Sequence, residues 1–261
     1  MHFLKVKDNR LYTPVVGYRR GDAEIVVAGM VHVGLPSYYS RIQAEIDKLP
    51  AGFFEGIRPP LDEAAVLPEK RPYIRSLDKL PDIYRTFARY LRMTDQKDSL
   101  TYNGWKNADM TATEFINMAP QRLLRRLQRL ERIRDFEEAH KKHPEELSRF
   151  MKGMALFVYR FPFISNALSY AILGPMNHKL VVTERNRRLF HTMETEAFDV
   201  PVGVTYGAGH LPGIDRYLRG EGFSRDGDFW VPAWEVDEDK SFWESFNIVM
   251  KDSTETRLKR R

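Results

Sequence analysis

The 261-residue chain contains no cysteine, which excludes disulfides, thiolate metal sites and thiol nucleophiles. Any bound metal would have only His, Asp and Glu as protein ligands, with water completing the shell. Long apolar runs are also lacking. The richest stretch, 150–176, is broken by Lys152, Arg160 and Pro162, so it offers no uninterrupted run of the roughly 18 apolar residues that marks a membrane span. Lys5, Lys7 and Asp8 interrupt the first residues too early for the apolar region of a signal peptide. A soluble, cytoplasmic protein is the expectation. Neither a Pro/Gly/Ser-rich linker nor a repeat of about 20–50 residues divides the chain, which predicts a single domain over residues 1–261.

What is present fits a folded globular chain: 43% hydrophobic and 30% charged residues, enough for a sizeable core. The net charge of +5 draws much of its excess from the stretch Gln121–Arg134 and from the tail Arg257-Leu258-Lys259-Arg260-Arg261. Arg122, Arg125, Arg126, Arg129, Arg132 and Arg134, followed by Glu137 and Glu138, read as a solvated helix face with local ion pairs. Nucleic-acid binding would call for a broader basic patch with exposed stacking aromatics, so nucleic acid is not an expected partner. The aromatic segment within 150–176 reads as core or lid packing, and it is also the candidate homodimer interface.

Hydrophobic periodicity outlines an α/β fold. Leu11–Tyr18 and Glu24–Ala28 read as a hairpin turning through Arg19–Asp22. Ser37–Leu49 reads as a helix with Tyr38, Ile42, Ile46 and Leu49 on one face, and Phe53–Glu55 as a short buried strand. Strand, helix and strand within about thirty residues form a βαβ unit and predict a parallel pair. A further strand is expected near Leu100–Tyr102. Thr111 and Glu114 have the spacing of a helix capping box. Helices are predicted over Pro120–Arg149 with a break near Pro144, over Phe150–Leu173 with a break at Pro162, and over Lys179–Phe198. Val200–Tyr206 reads as a strand, Leu211–Leu218 as a helix, and Gly222–Ser224 and Asp228–Val236 as extended segments separated by Asp226–Gly227. The whole predicts a mixed, partly parallel central sheet with helices on both sides and a helical insertion, about 111–178, covering the site.

Three polar residues take the same place in this pattern. His32 follows one strand, Glu55 ends a second, and His210 follows a third. In a parallel sheet the carboxyl ends of the strands share one edge, and ligands bind in the crevice outside it. Two imidazoles and a carboxylate suffice to hold a catalytic zinc-like ion with a position left for water, whose pKa the metal would lower. Each residue also has a plainer reading: a histidine after a strand often only caps or hydrogen-bonds, and Glu55 can cap the segment that follows it.

Gly29-Met30-Val31-His32 and Gly207-Ala208-Gly209-His210 resemble the paired Gly-x-x-His motifs of the TraB/PrgY/GumN/Tiki family. Phe54-Glu55, Asn107-Ala108-Asp109-Met110, Glu184-Arg185-Asn186 and Gly209-His210-Leu211-Pro212-Gly213-Ile214 stand in that family's order, over roughly Val26 to Leu218. The family is grouped with erythromycin-esterase-like and ChaN-like folds. The resemblance implies an α/β fold and, as in Tiki members, metal-dependent cleavage of peptide bonds. On that footing His32 and His210 are metal ligands, and Glu55 is a third ligand or the general base. Asp109 is a fourth ligand or orients a histidine, unless it is only a carboxylate at a helix start. Arg185 supplies a fixed positive charge to a carboxylate or oxyanion, unless it is a structural ion pair. The expected cofactor is a divalent transition metal, Mn, Co or Zn, and the expected substrate a peptide or small molecule. Two other readings stay open: a metal-free, esterase-like hydrolase, and a protein that binds a small ligand or peptide in the same crevice without cleaving it.

Overall fold

A computed structural model of the chain describes residues 3–59, 61–75, 80–130, 141, 144–160, 179–196 and 200–236. β1 (Lys5–Lys7) and β2 (Arg10–Arg20) form a hairpin. It turns through Asp8 and Asn9, both at positive φ (47° and 53°), the backbone that a tight turn between twisted strands requires. β3 (Ala23–Met30) pairs antiparallel with β2, and this pair is the predicted hairpin, with the β1–β2 hairpin added ahead of it. There follow β4 (Val33–Gly34), α1 (Pro36–Ile46) and β5 (Ala51–Phe54). Next come α2 (Leu80–Leu91), β6 (Thr94–Asp95), the single turn α3 (Gln96–Ser99) and β7 (Lys106–Asn107). The helices α4 (Ala112–Met118), α5 (Gln121–Leu130), α6 (Pro144–Arg160) and α7 (Arg185–Thr195) lead to β8 (Val202–Gly207). α8 (Leu211–Gly220) and β9 (Ser224–Glu235) complete the described chain.

The main sheet has the order β9-β2-β3-β8-β5-β7, with β1 pairing to the start of β2. β3, β8, β5 and β7 run parallel, whereas β2 and β9 are antiparallel to their neighbours. This is the predicted mixed, partly parallel sheet. Because side chains alternate across a strand, the sheet builds two cores. On one face Val27, Phe53, Val204 and Tyr206 pack with Leu189 of α7 and Ile214 and Leu218 of α8. On the other, Ala28 and Met30 pack with Tyr38, Ile42 and Ile46 of α1 and with Trp105. Helices therefore cover both faces. Burying a side chain such as Ile42 contributes about 1.5–3 kcal/mol.

Four sequence expectations change. The βαβ unit is parallel as predicted, but β8 lies between β3 and β5. Leu100–Tyr102 is not a strand, and the next strand is β7, four residues later. Asp226–Gly227 does not separate two segments. It lies inside β9, where the register against β2 shifts and Gly227 takes φ 92°, a bulge that suits glycine. The helix predicted from Lys179 opens with a wide π-turn over Lys179–Glu184 and becomes α-helical at Arg185.

Of the helical insertion, α4, α5 and α6 are described. α6 packs Met151 toward Ala88 and Leu91 of α2. The predicted break at Pro162, most of the proposed dimer segment, Arg132, Arg134 and the basic tail lie outside the described residues. No helix among the described residues is long and apolar enough to cross a membrane.

Candidate active site

The carboxyl ends of the four parallel strands line one edge of the sheet, and each is followed by a polar residue: His32 after β3, His210 after β8, Glu55 after β5 and Asp109 after β7. Glu55 continues the ladder one residue beyond its strand, donating its N–H to Thr205 O at 3.0 Å. Its side chain then turns over β8, and Oε2 accepts a hydrogen bond from the Gly207 N–H. A Cβ at Gly207 would stand 3.0 Å from that oxygen, so glycine here lets the carboxylate settle on the backbone.

Asp109 is fully buried, and its carboxylate accepts from backbone and guanidinium donors. The Gly56 and Met110 N–H groups reach it at 3.0 and 2.8 Å, and Arg185 Nε at 2.9 Å. Arg185 Nη2 pairs with Asp109 Oδ2 and also lies 2.7 Å from Glu55 Oε1. One guanidinium, projecting from the first residue of α7, thus joins both carboxylates. Planar geometry and several fixed donors suit arginine to this task in a way that lysine does not match.

Burial opposes charge on Glu55, but Arg185, His210 and His32 outweigh it and hold the carboxyl well below the usual range. Burial likewise opposes charge on Arg185, and the two carboxylates more than restore it. Glu55 is therefore ionised at neutral pH. A carboxylate that binds its proton so weakly is a poor base and a good fixed negative charge.

His210 closes the short turn Ala208–His210 that links β8 to α8. Asn186, next to Arg185, grips it at two points. Its Nδ2 donates to His210 O at 3.1 Å, and its Oδ1 lies 2.6 Å from His210 Nδ1. The first bond fixes which way the amide faces, so Oδ1 accepts and Nδ1 carries the proton. His210 Nε2 is left facing Glu55 Oε1 at 3.5 Å. Gly213 makes the grip possible, since a Cβ there would lie 2.3 Å from Asn186 Nδ2.

His32 stands apart. It is exposed, its carbonyl accepts from the Gln96 N–H at 2.9 Å, and its ring centroid lies 4.7 Å from that of Tyr84 on α2. It reaches Glu55 through its charge when protonated. Tyr84 thus brings α2, which precedes the predicted insertion, against His32.

The structure brings Glu55, His210, Asp109 and Arg185 together and leaves His32 at the mouth. The expected divalent metal does not fit this set. Asp109 has its oxygens taken by amides and Arg185, and a cation on Glu55 would face a guanidinium already 2.7 Å away. Among the described residues no group of three or more His, Asp or Glu is placed to hold a metal ion. Asn186 and Tyr84 had no role assigned from sequence. Asn186 is within reach of the sequence, because it adjoins Arg185 in the Glu184-Arg185-Asn186 motif. Tyr84 carried no local signal. A depression of about 740 Å³ lined by Met118, Arg187, His191 and Tyr217 contains none of the site residues.

Fold and site together define an α/β protein with a polar cluster at the carboxyl edge of a mixed sheet. Comparison with protein-family models, curated proteins and solved structures returned no match, so the family resemblance rests on the motifs alone.

Proposed function

We propose that this cluster is the catalytic centre of a hydrolase acting on amide or ester bonds by general acid–base chemistry. The observation that carries the reading is the His210 arrangement: Nδ1–H held by Asn186, and Nε2 directed at an ionised carboxylate 3.5 Å away. One water about 2.8 Å from each group can touch both. His210 Nε2 takes a proton from that water as its oxygen adds to the carbonyl carbon. The imidazolium returns the proton to the departing nitrogen or oxygen as the tetrahedral adduct collapses. Glu55 orients the water and stabilises the imidazolium, while Arg185 and the Gly207 N–H keep Glu55 ionised and in place. The metal-assisted route is less well supported, because Arg185 stands where the metal would need the carboxylates.

The test is hydrolysis of p-nitrophenyl acetate and of blocked aminoacyl p-nitroanilides by protein treated with a chelator. The expected result is activity that survives the chelator and falls at least roughly a hundredfold in His210→Ala and Glu55→Gln. Activity abolished by the chelator and restored by manganese, cobalt or zinc would return the site to metal chemistry. No turnover of either substrate class would favour a binding protein that uses the same edge.

A further inference from the structure

At the mouth of the site stand three side chains that the acid–base chemistry leaves unused. The ladder of β4 and β6 sets Asp95 opposite Val33, and the Gln96 N–H donates to His32 O at 2.9 Å, so the backbone holds Asp95 beside His32. The Tyr84 ring lies 4.7 Å from the imidazole. The charge of a protonated His32 reaches both Asp95 and Glu55, and the charges of those two carboxylates reach Tyr84. His32 and Tyr84 are exposed, and neither the imidazole nor the Tyr84 hydroxyl has a hydrogen-bond partner among the described residues. Asp95 Oδ1 accepts the Lys97 N–H at 2.7 Å as the cap of α3, whereas its Oδ2 is left without a hydrogen bond and still in contact with solvent.

Asp95 is 8% exposed, and no cation pairs with it among the described residues. Arg85, whose charge reaches it, is committed to Asp98 through two contacts of 3.2 Å. A largely buried carboxylate of this kind is stabilised by any cation that can come within reach. A carboxylate oxygen, a phenol oxygen and a neutral imidazole nitrogen are three acceptors, and they adjoin an exposed aromatic ring. A primary ammonium matches the set, because it brings three donors and no acceptor and gains from the face of a ring. An anion would meet Asp95 and Glu55 together, and an uncharged amide would leave the Asp95 charge uncompensated.

We propose that Asp95, Tyr84 and His32 form a specificity subsite for a primary ammonium group of the substrate, the amino terminus of a peptide or a lysine side chain. Its service to cleavage rests on the hydrolase reading, but ammonium binding does not. The experiment titrates the full-length, chelator-treated protein by ligand-observed NMR with three peptides: trialanine amide, acetyl-trialanine amide and acetyl-alanyl-lysyl-alanine amide. The same spectra report whether each peptide stays intact. Wild type is expected to bind at least one amine-bearing peptide roughly tenfold more tightly than acetyl-trialanine amide, and the tighter of the two identifies the source of the ammonium. Asp95→Asn keeps the helix cap, since Asn caps as well as Asp, and is expected to abolish the preference. Tyr84→Leu is expected to reduce it about twofold to fivefold. Equal affinity for charged and acetylated peptides, no binding to wild type, or a preference that survives intact in either variant would overturn the proposal. Displacement of the amine by an equimolar divalent transition metal would give the mouth to a metal and overturn it as well. If the preference holds while wild type cleaves neither these peptides nor alanine p-nitroanilide, the subsite stands and the hydrolase reading falls.

Discussion

At the scale of single residues, the site depends on side chains held by partners rather than on their intrinsic chemistry. A free histidine favours the Nε2–H tautomer only slightly, so one hydrogen bond at Nδ1 is enough to choose the other form. Asn186 supplies it. In Asn186→Ala, two-dimensional ¹H–¹⁵N spectra of the ring are expected to show His210 losing its predominant Nδ1–H form, with hydrolysis falling roughly ten- to hundredfold. An unchanged tautomer would mean that Asn186 does not set it. The Arg185 pair is a buried ionic network, where removing one member leaves uncompensated charge. Arg185→Met is expected to destabilise the fold by about 3–5 kcal/mol in denaturant unfolding. The double variant with Asp109→Asn should lose less than the sum of the two single changes.

At the scale of elements, the site is assembled by strand ends and helix starts. α4 begins with the predicted capping box: the Glu114 N–H donates to Thr111 Oγ1 at 3.1 Å, and the Thr111 N–H to Glu114 Oε2 at 2.8 Å. Just ahead of it, Arg58 N–H donates to Met110 O and Ala112 N–H to Arg58 O, both at 3.0 Å. The start of α4 therefore pins the loop that carries Asp109 to the loop that follows Glu55. Thr111→Ala is expected to cost about 1 kcal/mol and lower the melting temperature by a few degrees. Hydrogen exchange should speed up at Gly56 and Met110 if the pinning is real, and only within α4 if the cap is purely local. α7 contributes in a different way: its first turn places Arg185 and Asn186 side by side, one toward the carboxylates and one toward the imidazole.

At the scale of the molecule, the buried cluster links stability to pH. Glu55 binds its proton more weakly when folded than when unfolded. Its contribution is therefore complete above the unfolded carboxylate pKa of about 4.3 and is lost as pH falls through the depressed native value. Asp95 works in the opposite sense, because burial raises its pKa. The quantity to measure is thus the stability difference between wild type and Glu55→Gln as a function of pH. It should shrink as pH falls below about 4. A difference that persists unchanged to pH 3 would show that Glu55 is not held ionised by its surroundings.

How far the sequence carried each feature follows from the range of the interaction involved. Periods of two and of 3.6 residues are local, so the β2–β3 hairpin, the Tyr38–Ile42–Ile46 stripe of α1 and the Thr111–Glu114 box are all legible. So is the placement of His32, Glu55 and His210 after strands. The sequence by itself determined that this is a cysteine-free α/β chain with its polar residues at strand ends, because both facts follow from composition and short-range pattern. Only the tertiary structure decided that β8 lies between β3 and β5, which brings His210 beside Glu55. It alone placed Arg185 against Asp109, 76 residues away, where the metal was expected. That choice is electrostatic and depends on three-dimensional distance: whether two buried carboxylates are neutralised by an ion or by a guanidinium depends on which positive charge the packed helix brings within about 3 Å.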